Sequence, residues 1–226
     1  MSRPFERFAF FDLDGTLISD TSLLAFYRHY LSVEYPDSAE QRSADFAQAL
    51  ADRIASGIAR DELNAWFYRN HFADLEVERI RALAQQWLAG RCADERFFKS
   101  GMVERVKAYR AQGVGTVLVT GSFREVVQPL AERFGIDACL CAPLEEVDGR
   151  YTGALTSRPM IGAGKRIAIE HFLAQHDVAP EYCSGYGDDH TDIAFLGSLG
   201  QPWALSSGTA ELLAHARKSG WSVIEA

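Results

Sequence analysis

The sequence predicts an α/β fold, a parallel sheet with helices on both faces, plus an inserted all-helical cap. Three observations carry this expectation. From about residue 98 onward, short β-branched or aromatic runs alternate with amphipathic helical stretches, the pattern of a parallel sheet. One strand-like run, Phe8-Ala9-Phe10-Phe11, stands alone near the start. Between the two, from about Thr21 to Leu88, apolar residues recur at three-to-four spacing, which reads as helix throughout. The expected boundaries are a core of residues 1–16 and 98–226 and a cap of residues 17–97.

The elements follow in order. Residues 8–12 form the first strand. The cap holds four apolar stripes: Leu23 to Leu31, Phe46 to Ile58, a third beginning at Leu63, Trp66 and Phe67, and Val77 to Leu88. Tyr35-Pro36-Asp37-Ser38 and Phe72-Ala73-Asp74 are breaks between them. Met102–Gln112 is a helix ending at Gly113. Val117–Thr120 is a strand ended by Gly121 and Ser122. Phe123–Phe134 is a helix ending at Gly135, and Ala138–Ala142 is a strand. Asp148-Gly149 signals a hairpin. Gly164–His176 is a helix, and Tyr182–Tyr186 a strand ending in Gly187-Asp188-Asp189. A short helix over Thr191–Leu199, a strand over Pro202–Leu205, a helix over Thr209–Lys218 and a strand over Trp221–Ile224 complete the chain.

Composition narrows the function. The 226 residues carry a formal charge of −8, with 47% apolar and 24% charged residues, as in ordinary globular proteins. That charge disfavours non-specific binding to nucleic acid or anionic membranes. The opening Met1-Ser2-Arg3-Pro4-Phe5-Glu6-Arg7 does not read as a signal peptide, and no apolar run approaches the ~20 residues of a membrane span. Cys92, Cys139, Cys141 and Cys183 include no C-x-x-C pair, so buried free thiols and a cytoplasmic location are expected.

The chemistry gathers at strand ends, where ligands bind in such folds. Asp12 and Asp14 stand two apart at the end of the first strand, on one side of an extended chain. Like charges there need a cation or a proton between them. Asp12 suits a carboxylate nucleophile. Asp14 suits a general acid and base, provided its neighbours raise it from its ordinary pKa near 4. Gly15 lets the backbone approach a ligand. At the second strand end, Thr120 offers a hydroxyl, and Gly121 and Ser122 offer backbone N–H groups beside a helix N-terminus; otherwise Ser122 is a simple N-cap. Gly162-Ala163-Gly164-Lys165 is not a nucleotide P-loop, because Pro159 replaces the first glycine and Arg166 the Ser or Thr. Lys165 is then either a solvated cation or the positive charge that a phosphoryl group needs. Asp188 can join Asp12 in holding Mg²⁺, and Asp192, one helical turn later, can support the metal through its waters. Asp189 and His190 read as loop residues.

These four elements, in this order, resemble the haloacid dehalogenase-like superfamily. Asp12-Leu13-Asp14-Gly15-Thr16-Leu17 matches its first motif, Thr120 its second, Lys165 its third and Gly187-Asp188-x-x-x-Asp192 its fourth. A helical cap just after the first motif is similar to the subfamily that includes phosphoserine phosphatase. The resemblance implies a Rossmann-like core and a Mg²⁺-dependent phosphatase that hydrolyses a small-molecule phosphate monoester through an aspartyl-phosphate. It implies Asp12 as nucleophile, Asp14 as acid, Thr120 and Lys165 on the phosphoryl oxygens, and Mg²⁺ on Asp12, the Asp14 backbone carbonyl and Asp188. An acid at Asp14 excludes dehalogenation.

Departures bear on the substrate. The subfamily's glutamate shortly after the first motif is missing from Ile18-Ser19-Asp20-Thr21-Ser22; Asp20 either replaces it or caps the next helix. Thr191 stands where many of the group carry Asn. The cap has no lysine between Leu17 and Phe97, so a cationic anchor there is an arginine such as Arg28, Arg53 or Arg69. Trp66, Phe67, Tyr68 and Trp87 offer an apolar lid, though helical spacing favours core packing for most of them. Phosphoserine phosphatase proper and a lipid-phosphate phosphatase are the alternatives within this chemistry; a phosphotransferase and a non-catalytic metabolite-binding protein are the alternatives outside it.

Overall fold

The computed structural model describes residues 5–225; the Met1–Pro4 part of the opening segment lies outside them. Strand β1 (Phe8–Phe11) is completely buried because both faces of the sheet are covered. Phe8 and Phe10 pack into one apolar cluster and Ala9 and Phe11 into another, as the two-residue period of a strand requires. Helices α1 (Ser22–Glu34), α2 (Ala39–Ala55), α3 (Arg60–His71) and α4 (Val77–Arg91) follow, with a short 3₁₀ turn at Pro36–Ser38. The chain then forms α5 (Ser100–Ala111), β2 (Gly115–Phe123), α6 (Arg124–Phe134) and β3 (Ala138–Ala142). A hairpin of β4 (Leu144–Val147) and β5 (Arg150–Leu155) turns at Asp148 and Gly149, both at positive φ, the conformation of a type I′ turn. The remainder is α7 (Ala163–His176), β6 (Ser184–Gly187), α8 (Ile193–Leu196), β7 (Gln201–Leu205), α9 (Ala210–Ser219) and β8 (Ser222–Ile224).

The six-stranded sheet has the order β3-β2-β1-β6-β7-β8, and every pairing in it is parallel. The chain winds outward from β1 in one direction, then crosses to β6 and winds in the other. The carboxyl ends of β1 and β6 therefore flank a topological switch point, where such sheets bind ligands. Helices α5 and α6 cover one face, and α7, α8 and α9 cover the other.

The cap helices share a single apolar cluster with the first face. Phe123, at the end of β2, is the joint: its ring meets Phe26 of α1 at 5.2 Å and Phe72, just after α3, at 4.9 Å. The hairpin braces the same region, since Asp74 N–H donates to Tyr151 O and Tyr151 N–H donates to Leu75 O.

Some boundaries differ from the sequence reading. Strand β2 runs on through Gly121 and Ser122 to Phe123, with a register shift between Val119 and Phe123 that keeps it paired to β3. Phe123, not Ser122, precedes α6. Ser122 Oγ makes no hydrogen bond to the helix N-terminus, while its own N–H is held by Thr120 Oγ1 at 3.0 Å. Pro180–Tyr182 forms a 3₁₀ turn, so β6 begins only at Ser184. The expected helix over Thr191–Leu199 splits into a 3₁₀ turn at His190–Asp192 and the one-turn α8.

Candidate active site

Backbone pairing fixes the first acid. Asp12 N–H donates to Tyr186 O at 2.9 Å, which aligns the end of β1 with the end of β6, where Asp188 begins the next loop. Carboxylate oxygens of Asp12, Asp188 and Asp192 all lie within 4.8 Å of one another. Lys165, on the first turn of α7 and only 3% exposed, binds this group from the side: its Nζ donates to Asp12 Oδ1 at 2.5 Å and to Asp192 Oδ1 at 2.7 Å. It is therefore not a solvated cation.

Asp192 organises as much as it contacts. Its Oδ2 accepts the backbone N–H groups of Asp188 and Asp189, both at 3.2 Å. Asp189 returns a reciprocal cap by accepting Thr191 N–H at 2.9 Å. Burial works against the ionised Asp189, but Thr191, His190 and Arg60 outweigh it and hold its carboxyl below the usual range. Asp188 is oriented by the Thr16 hydroxyl, which donates to its Oδ1 at 2.9 Å.

Asp14 sits differently from the sequence expectation. The strand ends at Phe11, so Asp14 lies in the following loop, and its carboxylate stands outside the triad. Its Oδ1 accepts Ser22 N–H at 2.9 Å, at the start of α1. Burial pushes its pKa up to about 6, against the opposing hydrogen bond from Ser22. A carboxyl in that range exchanges protons near neutral pH.

The cluster carries more negative charge than one ammonium neutralises. Burial, with Asp192, Asp188 and Asp14 nearby, raises Asp12, and Lys165 only partly opposes this. Burial and Asp192 push Asp188 up to about 6. Burial opposes the charge on Lys165, yet Asp12 and Asp192 hold it firmly protonated. Three close carboxylates with hard oxygen donors fit a divalent cation.

Gly15 is dictated by this geometry. It adopts φ +73°, and a Cβ there would overlap the Asp188 carboxylate. Gly15→Ala is expected to cost about 1–2 kcal/mol from the left-handed backbone and to displace Asp188 as well. Thermal melting and a divalent-cation titration of the variant check this; an unchanged melting temperature and cation requirement would show that the loop absorbs the methyl group.

Above the acids lies a cavity of about 340 Å³. Thr120, Gly121 and Ser122 line it on the core side and α1, α2 and α3 on the cap side. Two polar atoms on this wall, Ser122 Oγ and Asn64 Oδ1, are buried without a hydrogen-bond partner. Asn64 Nδ2 and Tyr68 Oη both donate to Gly121 O, at 3.1 and 2.8 Å, tying α3 to the end of β2 beside Thr120.

Of the residues the sequence singles out, Asp12, Asp14, Gly15, Thr120, Gly121, Ser122, Lys165, Asp188 and Asp192 all border this cavity. The cap side differs in detail from the sequence reading. Asp20 neither caps α1, whose N-cap is Thr21, nor stands free: Arg91 binds its Oδ2 at 2.6 Å. Arg28, Arg53 and Arg69 are exposed and absent from the described lining, where Arg60 is the arginine instead. Arg53 is taken up by the Trp66 ring, 4.3 Å away. Tyr68 and Trp87 are core residues as expected, while Phe67 is both core and cavity wall. Thr16, Ser22 and Asn64 were missed. Thr16 lay within the first motif, but no spacing signal pointed to the other two.

A family model described as haloacid dehalogenase-like hydrolase matches residues 9–197. The chain is similar to a probable phosphatase of Mycobacterium tuberculosis, 26% identical over 220 residues, covering 96% of this chain and 74% of that protein. It is also similar to a phosphoserine phosphatase of that organism, 27% identical over 218 residues, covering 95% and 69%. Among solved structures, its fold is similar to that of a Bordetella pertussis protein of unknown function, with a TM-score of 0.84, 24% identity and coverage of 98% and 99%. A phosphoserine phosphatase in a phospho-aspartyl intermediate analogue form gives a TM-score of 0.66 at 17% identity, covering 98% and 93%.

Proposed function

The chain belongs to the haloacid dehalogenase-like hydrolases, and on that premise we propose that it is a Mg²⁺-dependent phosphatase hydrolysing a small-molecule phosphate monoester. The observation that carries this is the convergence of Asp12, Asp188, Asp192 and Lys165 at the switch point of the sheet. Residues 17–97 act as the cap over a core of residues 1–16 and 98–226. No helix among the described residues is long and apolar enough to cross a membrane.

In this reading an Asp12 carboxylate oxygen attacks phosphorus, and the bond to the leaving oxygen breaks. Asp14 donates its proton to that oxygen, releasing the alcohol. The ionised Asp14 then takes a proton from water as the water oxygen attacks phosphorus. The bond to Asp12 breaks, restoring the carboxylate and releasing phosphate. Lys165, Thr120 and Ser122 bind the phosphoryl oxygens, and the orphaned Ser122 Oγ gains a partner there. Asp12, Asp188 and the Asp14 backbone carbonyl would hold Mg²⁺, supported by Asp192, and the ion would reduce repulsion between the anionic nucleophile and the anionic ester.

The test is phosphate release from a panel of metabolite phosphates with Mg²⁺ and with EDTA. Release is expected with Mg²⁺ and loss of at least about 10²-fold on chelation, since the metal contributes several kcal/mol of charge stabilisation. Equal rates in both would overturn the metal assignment. Phosphoserine is a second reading of the substrate, favoured by the relative of that name.

A further inference from the structure

We infer that the substrate's alcohol portion carries no ammonium group and is largely apolar, a short alkyl or similar group, so that phosphoserine is disfavoured. This deepens the phosphatase reading and rests on it. The cap side of the cavity is built from Leu23 and Leu24 of α1, Leu50 and Ile54 of α2, and Leu63 and Phe67 of α3. Ile54 is 54% exposed, an apolar side chain left at the cavity rather than buried in the cap. Such a wall gains from contact with hydrocarbon and offers nothing to an ionic head group.

A zwitterionic alcohol needs a carboxylate for its ammonium and a cation for its carboxylate. Among the described lining residues, the charged side chains outside the acid–lysine cluster are Asp20, Arg60 and Asp189, and both carboxylates are already engaged. Asp20 is bound by Arg91 at 2.6 Å. Asp189 accepts both the N–H and the hydroxyl of Thr191 and meets His190 at 3.2 Å. Recruiting either carboxylate for an ammonium would break an existing pair, leaving a partner charge unmatched. Ser19, Thr21, Asn64 and Thr191 are neutral polar residues of the lining; Asn64 Nδ2 is committed to Gly121 O, which leaves Asn64 Oδ1 as a neutral acceptor. It suits one hydroxyl on an otherwise apolar group. A cavity of about 340 Å³ lies at the small end of the range for ligand pockets, roughly 300–1,000 Å³, so the chain it accepts is short.

The experiment measures kcat/KM for the full chain with Mg²⁺ on ethyl, butyl and hexyl phosphate and on O-phosphoserine. Acetyl phosphate, whose leaving group scarcely reaches the cap, reports the chemistry. The expected result is a rise of about fourfold per methylene, the transfer value of one buried CH₂, with phosphoserine at or below ethyl phosphate. Ile54→Asn, at a partly exposed position, should then lower the hexyl-to-ethyl ratio about fivefold. A flat alkyl series, or phosphoserine preferred over hexyl phosphate while acetyl phosphate is turned over, overturns this inference and leaves the phosphatase reading intact. Absence of turnover of acetyl phosphate and of every ester overturns both.

Discussion

Asp12→Asn is expected to lower kcat by about 10⁴-fold or more, the scale on which loss of a covalent nucleophile acts. The amide is nearly isosteric, so the fold and the backbone bond from Asp12 N–H to Tyr186 O should survive. The substitution also removes one negative charge from a cluster in which burial and neighbouring carboxylates already raise Asp12. The variant is therefore expected to be no less stable than the parent, and a fall in activity cannot be ascribed to unfolding. Phosphate release measured beside a thermal melt checks both halves. A variant that kept most of its Mg²⁺-dependent rate would displace Asp12 from the nucleophilic role.

Lys165→Ala should combine a kinetic and a structural loss. Removing a cation that neutralises a phosphoryl group in flight costs on the order of 10³-fold or more. Lys165 also holds Asp12 and Asp192 together in a buried setting, and breaking such a pair destabilises by about 3–5 kcal/mol. A divalent cation can offset part of the unmatched charge, so Mg²⁺ should raise the melting temperature of the variant more than that of the parent. That difference separates a cation acting within the acid cluster from a residue that merely packs. A loss of only a few fold in kcat, with no enhanced response to Mg²⁺, would mean that another positive charge serves the phosphate.

Much of the sheet and of the acid cluster was legible because local rules govern both. The buried run at Phe8–Phe11, the Gly-ended helices and the Asp148-Gly149 hairpin are signals spanning a few residues, and the acids stand immediately after strands. The cavity's cap side was less legible because it depends on which partners meet across the fold. Asp20 finds Arg91 from α4, and Arg53 finds Trp66; neither pairing leaves a trace in spacing. The extension of β2 through Ser122 depends on its pairing with β3, which is equally invisible along the chain. Asn64 lay unnoticed on an amphipathic helix because its importance comes from Gly121, 57 residues away.

Helix α2 has one buried side chain, Phe46, yet it supplies two residues of the cavity wall. Helices α1 and α3 are fastened by Phe123 and by the two donors on Gly121 O. A segment so thinly anchored has a low free energy of local opening. Local opening of α2 would expose this wall and leave the donors on Gly121 O in place. Entry of an ester by that route would draw on α2, and the chemistry on the acids and Lys165. Substitutions that tighten α2 would slow exchange with solvent and leave the acids untouched, which makes its exposed face the natural place to adjust traffic independently of catalysis.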